Sequence, residues 1–188
     1  MAATRGEEAG DRFLVRQGTA FHVLTLVVGL GLAVVIFLAD PRRSLLAVVQ
    51  ARAALGWWEA PALVAVFAAA CVLHELAHGF AGRWVGGGPV RYGTRFVLRV
   101  VPLAFWCGLG GRMSRGGLMA VLMAPQVVVP VALGAMALAA PASWGLCWLI
   151  YVLMVIGSAA DAVLLVAVLG SRARWVRDTA MGIVEART

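Results

Sequence analysis

Four long apolar stretches restrict what this chain can fold into: they run near Phe21 to Leu38, Pro61 to Gly82, Gly116 to Ala140 and Ser143 to Gly170. A helix of about 20 residues crosses a hydrocarbon layer of about 30 Å, and in lipid a spanning segment must satisfy its own backbone. The chain has 188 residues, 62% of them hydrophobic and 13% charged; soluble domains carry about 25% charged residues. The expected fold class is an all-α membrane protein of about four transmembrane helices. Its parts would be a cytoplasmic N-terminal tail over 1–20, a four-span membrane domain over 21–170 with its core at about 61–170, and a cytoplasmic C-terminal tail over 171–188. The first stretch is longer than a signal-peptide core and ends in Asp40-Pro41-Arg42-Arg43 without a small-residue cleavage site, so it reads as a retained span. No repeat or low-complexity tract is visible.

All sixteen basic residues are arginine, and their placement predicts the orientation. Arg5, Arg12 and Arg16 precede span one, Arg83, Arg91, Arg95, Arg99, Arg112 and Arg115 lie between spans two and three, and Arg172, Arg174, Arg177 and Arg187 follow span four. Only Arg42, Arg43 and Arg52 fall on the other side, which puts both termini in the cytoplasm of a cell membrane. Trp57, Trp58, Trp144 and Trp148 mark the outer interface, and Trp84 and Trp175 the inner one. The net charge of +7 then reads as topology and attraction to the lipid bilayer, and no nucleic-acid partner is expected. Ser44 to Leu55 reads as a short amphipathic helix on the outer surface. Cys107 and Cys147 fall on opposite sides, so no disulfide framework is implied.

Inside span two lies His74-Glu75-Leu76-Ala77-His78, an HExxH motif. Residues four apart share a helix face, so the two imidazoles can hold one zinc ion while Glu75 faces the water that the metal activates. Glu75 and Asp161 are the acidic residues within the spans, clear of their ends. A carboxylate in hydrocarbon needs a partner, a proton or a metal. A catalytic zinc takes three protein ligands and leaves a position open; His74 and His78 supply two, and Asp161 is the carboxylate available on another span. At 1.5 Å per residue the histidines centre about 10 Å below Arg83 and Asp161 lies about 16 Å below Arg172, a mismatch that helix tilt would absorb. Cys71, one turn before His74, is the alternative third ligand.

HExxH in the first of three core spans and a metal-binding Asp in the third resemble the layout of site-2 intramembrane metalloproteases. The details look closest to the small membrane-embedded zincin metallopeptidases classed as a domain of unknown function, over about Pro61 to Gly170. The resemblance implies zinc held by His74, His78 and Asp161, with Glu75 as general base. Site-2 proteases usually carry their Asp in Leu-Asp-Gly, whereas this chain has Gly157-Ser158-Ala159-Ala160-Asp161-Ala162.

The reaction expected is hydrolysis of peptide bonds in a membrane protein or peptide substrate, whose helix must unwind before a carbonyl reaches zinc. An extended substrate needs a partner. Val90 to Val100 alternates with period two, apolar on one face and largely basic on the other, and predicts a short membrane-associated β element between helices two and three; Thr94 and Phe96 are candidate substrate-binding positions. The same segment is equally a basic loop on lipid headgroups. Span three carries Pro125 and Pro130 and is the one interrupted span; Gln126 beside them offers an oxyanion donor or satisfies the freed carbonyls. Two other classes stay open. A metal-ion or proton transporter also places His, Glu and Asp in the membrane but usually shows repeats and several interrupted helices, and an inactive scaffold would not need the full His-Glu-His set.

Overall fold

The computed structural model describes residues 12–55, 58–97, 101–179 and 182–185. Arg5, Trp57, Arg99 and Arg187 of the orientation argument, and the end of the expected strand at 98–100, lie outside the described residues. Among the described residues six α-helices carry most of the sequence: α1 (Thr19–Ala39), α2 (Pro41–Leu55), α3 (Glu59–Trp84), α4 (Arg115–Ala139), α5 (Trp144–Gly157) and α6 (Ala159–Gly170). Three are long and apolar enough to cross a membrane, and α5 with α6, bent by 47° at their break, meet that requirement only as a pair, as one broken span or a re-entrant loop.

That break corrects the expectation of an unbroken fourth span and an interrupted third. α4 runs continuously through Pro125 and Pro130, because neighbouring apolar helices support a proline-containing turn. The fourth segment gives way at Gly157-Ser158, a glycine–serine pair of the kind that kinks helices. The Ser158 N–H still bonds to the Met154 carbonyl, while the Asp161 and Ala162 N–H groups bond to the Ser158 carbonyl and restart the helix. Asp161 thus stands in the first turn of α6, where the positive end of the helix dipole favours a carboxylate.

α1 buries one narrow stripe, Phe21, Thr25, Gly29 and Ala33, and leaves Val23, Leu24, Val27, Leu30, Val34, Val35 and Leu38 exposed. Gly29 is required by contact: a Cβ there would stand 2.8 Å from the Ile156 carbonyl oxygen and 3.1 Å from the Ala159 Cβ. α1 therefore packs directly on the break between α5 and α6. The segment expected as an amphipathic surface helix is α2, which starts earlier, at Pro41, and buries Ser44 and Ala47. Beneath it a core of Ala70, Val129, Leu133, Leu146, Ile150 and Met154 joins α3, α4 and α5.

Strand content exceeds the single expected element. β2 (Val90–Val97) pairs antiparallel with β3 (Val101–Leu109), with a bulge between Arg95 and Phe96. β1 (Arg12–Arg16), β4 (Arg112–Ser114), β5 (Trp175–Thr179) and β6 (Gly182–Glu185) form a second sheet in the order β1-β6-β5-β4. The described parts of the two segments set apart as tails thus pair with each other, at the end of the helix bundle where α3 leaves off and α4 begins. A core of Phe21, Leu109, Met113, Val121, Leu164, Val176 and Ile183 binds this sheet to α1, α4 and α6.

Glycines decide how the hairpin meets α3. Gly86, at φ 75°, ends the helix in the left-handed conformation, and the Gly87 N–H returns to the Gly82 carbonyl at 2.8 Å, a helix-terminating motif. A side chain at Gly79 or Gly82 would occupy the place of the Tyr92 hydroxyl or the Leu109 side chain. The hairpin therefore lies against the turns of α3 that directly follow the HExxH histidines.

Candidate metal centre

His74 and His78 stand one turn apart on α3 and are each only 8% exposed. Asp161 of α6 meets them. Its Oδ2 lies 3.0 Å from the His74 Nε2 and 3.3 Å from the His78 Nε2, and the two Nε2 atoms are 3.2 Å apart. These three residues form the one potential metal-holding group among the described residues. Tetrahedral ligands about 2 Å from a zinc ion are about 3.3 Å from each other, so the triangle has the edge lengths of a zinc site's face.

Hydrogen bonding supports the fit. The His78 Nδ1 lies 2.9 Å from the Val121 carbonyl oxygen, an acceptor only, so in the neutral ring Nδ1 carries the proton and Nε2 presents a lone pair. Asp161 Oδ2 is buried without a hydrogen-bond partner despite its nearness to both rings. Lone pairs converging in a buried place repel one another, and a divalent cation among them removes that repulsion and pairs the carboxylate. The residues present fit a zinc ion.

Glu75, half-buried on the adjoining face of α3, lines a cavity of about 160 Å³ with His78 and Asp161. Gln17, Cys107, Leu109 and Asp178 line its other side. The backbone N–H of Leu109 donates to the Asp178 Oδ2 at 3.2 Å, and that of Cys107, two residues earlier on the same strand, faces the Glu75 carboxylate. Burial, with the Glu75 and Asp178 carboxylates adding to it, pushes the Cys107 thiol up to about 12, so it stays protonated. Burial also pushes the Asp178 carboxyl up to about 6, against the hydrogen bonds from the Leu109 and Thr179 N–H groups, which lower it.

The other expected residues fall at varied distances from this centre. Gln126 is brought to its flank: it lines a narrow crevice with His74 and a cleft of about 150 Å³ with Leu32, Met123, Ser158 and Asp161. Cys71 is not brought into the group, its Sγ lying 3.9 Å from the Met154 Sδ. Thr94 and Phe96 lie on β2, whose partner β3 brings Cys107 and Leu109 to the cavity. The sequence reading missed the Val121 carbonyl, the Cys107 N–H, Gln17 and Asp178. Backbone groups carry no signal in a sequence, and the one available for Asp178 was its place in the alternating run Trp175-Val176-Arg177-Asp178.

No curated protein and no solved structure matches this chain. Residues 67–174 match the model of a family described as "Putative zincin peptidase", a match over more than half of the 188 residues that includes His74, Glu75, His78 and Asp161. Zinc is the cofactor that zincin membership implies. With an HExxH helix, a buried triangle of ligand atoms and that match, the chain belongs to the zincin peptidase family so described.

Proposed function

We propose that this protein is an intramembrane zinc metalloprotease, similar in layout to the site-2 proteases, in which His74, His78 and Asp161 hold the metal and Glu75 is the general base. The observation that carries this reading is the convergence of three buried ligand atoms at 3.0–3.3 Å beside a cavity lined by Glu75. Zinc at such a site supplies a Lewis acid that makes water nucleophilic near neutral pH. The Glu75 carboxylate takes the proton from that water and delivers it to the leaving amine. The Cys107 N–H faces that carboxylate, and Val121 keeps His78 in the tautomer that binds metal. Gln126, which lines clefts beside His74 and Asp161, serves either as an amide donor toward the substrate carbonyl or to satisfy the carbonyls freed by Pro125 and Pro130.

Membrane placement is supported by the exposed apolar surface of α1 and by three helices long enough to span, joined by the bent α5–α6 pair if that is one span. The cluster lies among those helices, so its substrate is a membrane segment, locally unwound and held as an extended strand by the β2–β3 hairpin. Both termini are assigned to the cytoplasm, because their strands share a sheet with β4 at the arginine-rich end.

Glu75→Gln tests the chemistry: it keeps the size and removes the base, so zinc content stays at the wild-type level and cleavage of a membrane-embedded test peptide falls about 100-fold or more. Undiminished cleavage would refute the role of Glu75. The break at Ser158, next to Asp161, is the observation that favours a transporter. Wild-type protein that carries zinc into liposomes and cleaves no peptide would establish that reading instead.

A further inference from the structure

Asp178 lies outside the residues matched by the family model, yet it lines the same cavity as Glu75, His78 and Asp161. Its carboxylate accepts the Leu109 N–H, and two residues earlier on β3 the Cys107 N–H faces Glu75 across the same cavity. In a strand, N–H groups two residues apart point to the same edge and are about 7 Å apart. Both carboxylates therefore sit on one edge of β3, and the other edge is paired with β2. Asp178 itself stands on β5, which is held on both sides by β4 and β6. β3 is thus tied to a three-stranded support at Leu109, and that tie sets how far along the strand the Cys107 N–H stands from Glu75.

We propose that Asp178 is a positioning residue for catalysis: by holding the Leu109 N–H it registers β3 against the C-terminal hairpin and so places the Cys107 N–H that orients the Glu75 carboxylate. This inference rests on Glu75 acting as the base, as proposed above. It makes the C-terminal hairpin part of the catalytic apparatus, with Asp178 acting only through Glu75.

Asp178→Ala removes the acceptor, and kcat should fall about tenfold, the order expected for one lost hydrogen bond in an active site, with KM and zinc content unchanged. Asp178→Asn keeps a carbonyl oxygen for Leu109 and should restore kcat to within about threefold of wild type. In a Glu75→Gln background, Asp178→Ala should cause no further loss, since the two residues act along one path. Unchanged kcat in Asp178→Ala, an asparagine variant as slow as the alanine one, or an undiminished tenfold loss in the Glu75→Gln background would each overturn the inference. Should the alanine variant fail to accumulate, Asp178→Glu lengthens the arm by one methylene and should also slow kcat; full activity in it overturns the proposal. The Cys107 amide signal of 15N-labelled protein separates this from the peptidase reading. It should move in both Asp178→Ala and Glu75→Gln whether or not any peptide is cleaved, and an unmoved signal in Asp178→Ala rules the linkage out.

Discussion

At the scale of single residues, the metal centre depends on three side chains whose contributions differ. His74→Ala or His78→Ala removes one of two neutral ligands on the same helix turn, and purified protein should drop from about one zinc per chain to below a tenth of that, read by elemental analysis. Full retention in both variants would end the zinc assignment. Asp161→Asn keeps an oxygen but loses the charge, so binding should weaken without vanishing. Asp178 governs a different measurable. Its ordinary value is 3.8 and in the fold it holds its proton to about 6, so the folded state binds more protons between those two values. Stability linked to that proton is complete below about pH 4 and is lost as the pH rises through 6, by at most about 3 kcal/mol. Asp178→Asn should abolish this decline in thermal unfolding followed from pH 4 to 8; a decline of the same size in the variant would assign it to another group. The ligand residue types were legible because HExxH spacing is set by the helix turn alone. The third member of the group was legible as an unexplained carboxylate, while its being Asp161 rather than Cys71 that meets the histidines required knowing which helix faces meet.

At the scale of elements, the hairpin is where sequence and structure part most. β2 was visible through its alternation. β3 was not, since Val101-Pro102-Leu103-Ala104-Phe105-Trp106-Cys107-Gly108-Leu109 is a continuous apolar run with a proline and a glycine in it, and periodicity does not separate such a run from a buried helix segment. Because Cys107 and Leu109 turn their N–H groups away from β2, the alternation places the Thr94 N–H on the outer edge of β2, the Phe105 N–H on the cavity edge of β3 and the Arg95 N–H toward β3. Arg95→Pro should therefore lower stability by roughly 1–3 kcal/mol, whereas Thr94→Pro and Phe105→Pro leave the ladder intact. If substrate pairs with the hairpin, one of these two cuts cleavage with zinc retained and so identifies the edge; full activity in both would place substrate binding elsewhere. Gly29→Leu tests the packing of α1 on the break. The obstructing atom is a backbone carbonyl, which cannot rotate away, so a loss of about 2–4 kcal/mol is expected, and an unchanged melting temperature would show that α1 stands off from α5 and α6.

At the scale of the molecule, the two ends of the bundle should be chemically distinguishable in cells. Cys147, an apparent marker of the outer end, is only 5% exposed in the core under α2, so its labelling would report burial as much as side. Ala142 and Arg174 are exposed and stand at opposite ends of α4. With both termini in the cytoplasm, an impermeant maleimide on intact cells should label Ala142→Cys and spare Arg174→Cys, and the reverse result would invert the orientation. The sequence by itself determined the apolar helices and the HExxH motif with its histidine pair and Glu75. Each depends on local quantities, the length of an apolar run or the 3.6-residue turn, and these are written in neighbouring residues. Only the tertiary structure decided where the fourth segment bends, that α1 lies on that bend, that residues 12–16 join the C-terminal hairpin in one sheet, and that Cys107 and Asp178 face the cavity with Glu75. Those outcomes rest on hydrogen bonds and side-chain contacts between residues far apart in the chain, where backbone groups identical at every position become distinct only by what they meet.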